Sequence, residues 1–103
     1  MGRRVLVIGG GGREHALCLA LHESASISEI HTTPGNAGTR HYGRNHDVSA
    51  SDIDGLVELT KHLEVDFVVV GPEAPLCEGL ADRLVQNGVP CFGPQQMHAE
   101  LEG

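Results

Sequence analysis

Short apolar runs alternate with segments of helical periodicity along this chain. Residues 5–8 (Val-Leu-Val-Ile) form an apolar run that predicts a buried strand, and residues 13–23 carry apolar positions at helical spacing. A second strand is predicted over residues 27–33. Residues 40–47 lack any period and are predicted as loop, running into a short third strand over 46–49.

The middle of the chain predicts a helix followed by a strand. Ser51 and Asp54 have the spacing of a capping box, with Asp in place of the usual Glu, which predicts a helix start. The helix has one apolar face, formed by Ile53, Leu56, Val57, Thr60 and Leu63. Residues 65–71 contain Phe-Val-Val-Val, a continuous apolar run typical of a central parallel strand covered on both faces.

The last third of the chain repeats this alternation. A turn at 71–76 leads into a helix with Pro75 in its first position, where the missing N–H costs nothing. The apolar positions of this helix are Leu76, Cys77, Leu80, Ala81, Leu84 and Val85. Gly88 suits a left-handed cap, residues 89–92 predict a final strand, and residues 95–101 begin another helix.

Alternating strands and helices predict right-handed βαβ units and a parallel sheet. We expect an α/β, Rossmann-like three-layer fold with sheet order 3-2-1-4-5 and helices on both faces. The length of 103 residues supports one domain, spanning residues 1–103. Met97 and Leu101 form an apolar edge with little left to cover it, so we expect the chain to be cut at Gly103, before a further domain.

Composition narrows the function classes. The net charge of −7 disfavours a nucleic-acid surface, which would be basic, and no apolar run approaches the roughly 18 residues of a membrane span. The three cysteines, Cys18, Cys77 and Cys91, lie in apolar runs and read as buried, reduced thiols of a cytoplasmic protein. The seven histidines show no metal-ligand spacing. One local basic cluster, Arg40, His41, Arg44 and His46, lies in a loop that can face an anion.

The four glycines at positions 9–12 stand between a strand and a helix. Glycine lets the turn take positive φ and lets a ligand approach the bare backbone, while the helix N-terminus offers unpaired N–H groups. This combination favours a phosphate-bearing ligand; a tight connection without any ligand is the alternative. The dinucleotide fingerprint G-x-G-x-x-G is not met, and no acid ends the second strand, so NAD binding is disfavoured.

In an open parallel sheet, ligands bind beyond the carboxyl ends of the strands, where the strand order reverses. Three loops meet there, at residues 9–13, 34–39 and 71–76. Arg13 opposes the helix dipole, a conflict that a bound phosphate would relieve. The negative charge of Glu14 interacts favourably with the helix dipole, and we expect His15 to have a structural role rather than to bind a ligand. Asn36 can hold its own turn or contact a ligand, and Glu73 can contact a ligand or cap the next helix.

Four motifs occur in order: Val-Ile-Gly-Gly-Gly-Gly-Arg-Glu-His-Ala, Pro-Gly-Asn-Ala-Gly-Thr, Phe-Val-Val-Val-Gly-Pro-Glu-Ala-Pro-Leu and Cys-Phe-Gly-Pro. Together they resemble the N-terminal domain of the phosphoribosylamine–glycine ligase family, also called glycinamide ribonucleotide synthetases. The resemblance covers essentially the whole chain. Gly10 departs from the family pattern, in which a small residue such as Ser is common.

The resemblance implies an ATP-dependent ligase of purine biosynthesis that joins glycine to 5-phosphoribosylamine with ATP and Mg²⁺ (or Mn²⁺). This chain would be the domain that precedes the ATP-grasp, nucleotide-binding part, and on its own it would be inactive, with no catalytic or metal-binding residue. The implied substrate-binding residues are Gly10, Gly11, Gly12, Arg13, Pro34, Gly35, Asn36, Ala37, Gly38 and Glu73.

The sequence leaves two alternative functions open. A stand-alone nucleotide-binding module would bind NAD or ATP by itself. A domain of another ATP-grasp ligase, such as a carboxylase acting on biotin or aminoimidazole ribonucleotide, would carry a different turn after the fourth strand from Gly-Pro-Glu-Ala-Pro-Leu.

Overall fold

The computed structural model describes residues 2–71 and 79–102. The strands in this part of the chain are β1 (Arg3–Gly9), β2 (Ile27–Pro34), β3 (Arg44–Asn45), β4 (Phe67–Val70) and β5 (Cys91–Phe92). The helices are α1 (Gly12–His22), α2 (Ile53–Leu63), α3 (Leu80–Gln86) and α4 (Pro94–Glu102), with a short 3-10 turn at Thr39–His41. None of the helices so described is both long and apolar enough to cross a membrane.

The strands form one parallel sheet in the order β3-β2-β1-β4-β5, which confirms the predicted fold. β1 lies at its centre. On one side, Gly9 aligns with Pro34 of β2, and on the other, Ile8 aligns with Val70 of β4. The ends of these three strands therefore lie side by side at the carboxyl edge of the sheet, where the strand order reverses.

Each face of the sheet carries its own apolar core, because side chains alternate along β1. Val5 and Val7 face the core beneath α1 and α4, whereas Leu6 and Ile8 face the core beneath α2 and α3. The side chains of β1 from Val5 to Ile8 are essentially inaccessible to solvent. This burial fixes the position of the glycines that follow Ile8.

Two predicted element starts were wrong. The third strand is Arg44–Asn45 rather than 46–49, because His31 and Thr32 of β2 pair with Arg44 and Asn45; a polar two-residue edge strand leaves no periodic signal. The N-cap of α2 is Asp52 and not Ser51, since the Asp52 carboxylate accepts a hydrogen bond from Gly55 N–H at 3.0 Å. The predicted apolar face of α2 is confirmed, with Leu56, Val57 and Thr60 buried.

The prediction that Met97 lacks a cover was also wrong. Met97 is fully buried in the core that contains Val5 and Phe67, and Leu101 packs against the same core. On α3 the buried face is narrower than predicted, because Val85 is 62% exposed while Leu80 and Leu84 are buried. Gly88 has φ +79°, which confirms its left-handed cap. The predictions for Pro75, Leu76 and Cys77 lie outside the described residues.

Of the two cysteines that the structure describes, Cys18 is buried as predicted, whereas Cys91 is less buried than predicted. Both Cys18 and Cys91 are free thiols, the first buried and the second half-buried. Burial raises the pKa of the Cys18 thiol, with the Glu14 carboxylate adding to this effect and a hydrogen bond with Thr32 opposing it. Burial likewise raises the pKa of Cys91. Both groups therefore stay protonated at neutral pH, as inert buried thiols do.

Candidate functional site

The turns after β1 and β2 are tied to each other at the carboxyl edge of the sheet. Gly35 N–H donates to Gly9 O at 3.0 Å. A Cβ on Gly10 would lie 3.0 Å from Gly35 O, so the two backbones approach as closely as glycine allows. Gly10 and Gly12 are exposed, and Gly11 is half-buried. Gly10, Gly11 and Gly12 therefore present backbone to solvent beside the second turn, whereas Gly9 is buried.

The side chain of Asn36 bridges these two turns. Its Nδ2 donates to both Gly10 O and Gly11 O at 2.9 Å, and its Oδ1 accepts from Thr39 N–H at 2.9 Å. Both hydrogens of the amide are thus used within the protein. The sequence left open whether Asn36 holds its turn or contacts a ligand. The structure gives its side chain the first role and adds the bridge to Gly10 and Gly11, which follow β1.

A second layer of polar contacts holds the Asn36 backbone. Thr39 Oγ1 accepts from Asn36 N–H at 2.7 Å, and Asn45 Nδ2 donates to Asn36 O at 2.8 Å. Gly35 has φ +75°, and a Cβ there would lie 2.5 Å from Asn45 Oδ1 and 2.9 Å from Thr39 Oγ1. Only glycine fits this position, which explains why the motif places glycine directly before Asn36.

Glu14 is a buried carboxylate at the centre of the carboxyl edge. Its side chain is inaccessible to solvent, and Oε2 accepts from Gly11 N–H at 3.0 Å, as the N3 residue of a capping box does. The same side chain fills the space beside Gly9 and Gly71, where any added Cβ would collide with it. Sequence reasoning assigned Glu14 only to the helix dipole. The overlooked signal is a glycine at the end of each flanking strand.

Arg13 and Asn36 line different cavities. Arg13 is exposed and lines an open cleft of about 540 Å³ together with Gly93, Pro94, Gln95 and Gln96. Gly93 N–H donates to Gln96 Oε1 at 2.8 Å, which caps the start of α4. The sequence prediction omitted this fourth loop, although Gly93-Pro94 follows a strand just as the other site loops do.

A second open pocket of about 400 Å³ lies beyond β2 and β3, and we call it the Arg40 pocket. Its lining residues are Pro34, Gly35, Asn36, Ala37, Arg40, Asn45, His46 and Asp47. The basic cluster predicted from the sequence is divided by the fold. Arg40 and His46 line this pocket, whereas Arg44 lines a separate groove with Glu29 and His31, and His41 packs edge-on against Tyr42.

The other predicted site residues differ in their surroundings. A Cβ on Gly12 would meet nothing within 4 Å, so this position is open. Gly38 packs against the ring of His15, which in turn stacks on Tyr42 with 5.4 Å between ring centroids; His15 is thus structural, as expected. Glu73 lies outside the described residues. Residues 2–71 and 79–102 contain no group of three or more His, Cys, Asp or Glu side chains arranged to hold a metal ion.

The pKa of His46 predicts a pH dependence of stability. Burial, and then the charges of His31, Arg44 and His62, lower this pKa from its ordinary value of 6.5. The unfolded chain therefore binds more protons at His46 than the folded chain, and the free energy of unfolding falls as the pH drops through 6.5 toward the lowered value. In urea titrations at several pH values, His46→Gln should show a shallower fall below that pH. An unchanged pH dependence would contradict this prediction.

The fold defines a Rossmann-like α/β domain, and the carboxyl edge of its parallel sheet carries the candidate site. Residues 3–102 match the family model described as "Phosphoribosylglycinamide synthetase, N domain". The chain belongs to this family.

Similar proteins of known name support this family assignment. The phosphoribosylamine–glycine ligase of Mycobacterium tuberculosis is 46% identical over 100 residues, covering 97% of this chain and 24% of that protein. The trifunctional purine biosynthetic protein adenosine-3 of Bos taurus is 48% identical over 104 residues, covering 99% of this chain and 10% of that protein. The chain thus spans about a quarter or less of the length of these relatives.

A solved structure supports the fold. The chain titled glycinamide-RNase-transformylase T from Mycobacterium tuberculosis superimposes with a TM-score of 0.69 at 22% identity, covering 86% of this chain and 26% of that one. At this identity the likeness concerns the fold alone.

Proposed function

We propose that this chain is the acceptor-binding domain of a phosphoribosylamine–glycine ligase, an ATP-dependent enzyme of purine biosynthesis. In that reaction the amine nitrogen of 5-phosphoribosylamine attacks the carbonyl carbon of glycyl phosphate, phosphate leaves, and the nitrogen loses a proton. The family membership and the ligase names of the curated relatives support this proposal.

One structural observation supports the acceptor-binding role above all others. Asn36 locks two glycine-containing turns together while Gly10 and Gly12 stay exposed. A rigid, bare backbone is suited to hold a small polar substrate in one orientation. Fixing a nucleophile beside its electrophile makes the reaction effectively intramolecular, which is worth up to about 7–11 kcal/mol in favourable cases. Gly10 to Arg13 and Pro34 to Gly38 supply this surface, with Glu73 added by the family resemblance.

The other reactants would be bound by further domains. We infer that ATP, glycine and Mg²⁺ (or Mn²⁺) bind mainly outside this chain, since its described residues offer no cluster suited to a metal ion. The residues described here therefore orient the acceptor rather than activate the acyl donor. We further infer a cytoplasmic location, because the free thiols Cys18 and Cys91 are typical of a reducing compartment.

Calorimetry with three ligands tests this proposal. Ribose 5-phosphate carries the phosphate and the sugar hydroxyls of the acceptor, and we expect it to bind the chain. NAD should give no comparable heat, because the dinucleotide fingerprint is missing. ATP should give none either, because we propose that it binds outside this chain. Tight binding of either nucleotide, with no binding of ribose 5-phosphate, would instead identify a stand-alone nucleotide-binding module.

A further inference from the structure

The Arg40 pocket combines a permanent cation with a histidine whose charge can change. Arg40 and Asp47 are both exposed and line the pocket together with the half-buried His46. At neutral pH, Arg40 and Asp47 cancel in formal charge, so the sign of the pocket depends on His46. A positive His46 makes the pocket cationic, and a neutral one leaves it balanced.

A chain of hydrogen bonds fixes which nitrogen of His46 carries a proton. The Glu29 carboxylate lies 3.2 Å from His31 Nε2, and His31 Nδ1 lies 2.9 Å from His46 Nε2. A carboxylate only accepts, so His31 Nε2 carries a hydrogen. In a neutral pair His31 Nδ1 then accepts from His46 Nε2, which leaves a lone pair on His46 Nδ1. In this state His46 cannot donate a hydrogen bond from Nδ1 to an anion.

Adding one proton to the His31–His46 pair allows His46 Nδ1 to donate a hydrogen bond. If the proton resides on His46, both ring nitrogens of His46 are donors. If it resides on His31, His46 Nε2 becomes the acceptor and its Nδ1 carries the hydrogen. Either arrangement turns His46 Nδ1, the ring nitrogen that His31 does not engage, into a donor.

We propose that the Arg40 pocket binds a phosphate monoester, the 5-phosphate of the acceptor, and that the His31–His46 pair takes up one proton as the phosphate binds. This inference rests on the proposed function and deepens it. Arg40 supplies the charge-assisted hydrogen bonds that suit phosphate oxygens. Asn36 and Gly35, which line the same pocket, connect it to the glycine turn.

The charged surroundings disfavour a proton on His46 before the anion binds. Arg44 on β3, His62 on α2 and the burial of the ring all lower the pKa of His46. Glu29 on β2 is itself paired with Arg4, whose Nε lies 2.9 Å from Oε2. Arg40 adds positive charge and Asp47 negative charge at the rim. The negative charge of an incoming dianion opposes these effects at the His46 ring, so we expect proton uptake to accompany binding.

The start of α1 is a poorer place for the phosphate than the sequence indicated. The Glu14 carboxylate already accepts the Gly11 N–H at 3.0 Å and brings its own negative charge to this helix end. A phosphate there would face that charge. The Arg40 pocket has no such resident anion at its floor, and its single acid, Asp47, is exposed to solvent among the lining residues that the structure describes.

Calorimetric titration of inorganic phosphate and of ribose 5-phosphate tests this inference. Arg40→Gln and His46→Gln should each weaken both ligands about tenfold, the effect of one lost charge-assisted hydrogen bond. Arg83→Gln is the matched control, because Arg83 is paired with Asp54 on the outer helices, and it should bind as the wild type does. Above about pH 6, where the monoester keeps its second charge, titrations in buffers of different ionisation enthalpy should show greater proton uptake for the wild type than for His46→Gln.

The outcomes separate this inference from the proposed function. If ribose 5-phosphate binds equally to wild type, Arg40→Gln and His46→Gln, or if only Arg13→Gln loses affinity, the phosphate lies elsewhere and the inference fails while the proposed function stands. Equal proton uptake in wild type and His46→Gln also overturns it. If inorganic phosphate binds through Arg40 but ribose 5-phosphate does not bind, the proposed function fails. Should His46→Gln unfold, an upward shift of the His46 ring titration on adding phosphate, followed by NMR, decides the question.

Discussion

Gly71→Ala should lower the free energy of unfolding by about 2–3 kcal/mol, near the upper end of the cost of overpacking a core. The reason lies in Glu14, whose buried side chain occupies the space that the new methyl group would need. Glu14 is held in place by its hydrogen bond to Gly11 N–H. Urea denaturation monitored by circular dichroism measures the change.

A double-mutant cycle shows whether Glu14 is the cause. In a Glu14→Ala background the side chain that blocks the methyl group is gone, so Gly71→Ala should cost far less than in the wild type. Gly12→Ala is the matched control, since a Cβ at position 12 meets nothing within 4 Å and alanine favours the first turn of a helix. An equal cost of Gly71→Ala in both backgrounds would refute the contact with Glu14.

Asn36→Asp should disrupt the bridge between the two turns with almost no change in side-chain volume. The wild-type amide donates to Gly10 O and Gly11 O, whereas an aspartate would direct a carboxylate oxygen at these two carbonyl oxygens. Losing two hydrogen bonds of about 1 kcal/mol each, with repulsion added, should lower the free energy of unfolding by about 2–3 kcal/mol. Affinity for ribose 5-phosphate should fall as well, because the glycine turn is no longer held.

Asn87→Asp provides the matched control for this substitution. Asn87 is an exposed residue at the end of α3 whose Nδ2 donates a single bond to Arg83 O. Asn87→Asp changes the net charge by the same amount as Asn36→Asp but alters no residue at the carboxyl edge. The affinity for ribose 5-phosphate should therefore not change. If Asn36→Asp matched this control in both stability and affinity, the bridge would have no role in shaping the site.

The sheet could be predicted because its strongest signals are local. Residues 5–8 and the Phe-Val-Val-Val run are continuous apolar segments. The helices predicted between successive strands indicate that these strands are parallel. The third strand could not be placed, since two polar residues at a sheet edge have no period of their own. The burial of Met97 depends on how α4 lies over β4 and β5, which no local pattern in 95–101 encodes.

The candidate site was predicted in outline but not in its contacts. Glycine and proline after β1 and β2 correctly marked two loops at the carboxyl edge, whereas the predicted turn at 71–76 lies outside the described residues beyond Gly71. The roles of Asn36 and Glu14 depend on groups from other elements. Asn36 reaches carbonyls 25 and 26 residues away, and Glu14 lies against Gly71, which follows β4. The division between the Arg13 cleft and the Arg40 pocket follows from the same long-range packing.

Amide chemical shifts of the labelled chain, followed while ribose 5-phosphate is added, test most directly whether the carboxyl edge binds a phosphorylated sugar. We expect the largest shifts at the amides of Gly10 to Arg13 and Gly35 to Gly38, together with those of Arg40 and His46. Shifts confined to the opposite, amino end of the sheet, around Gly2 and Ser26, or no shifts at saturating ligand, would contradict this expectation.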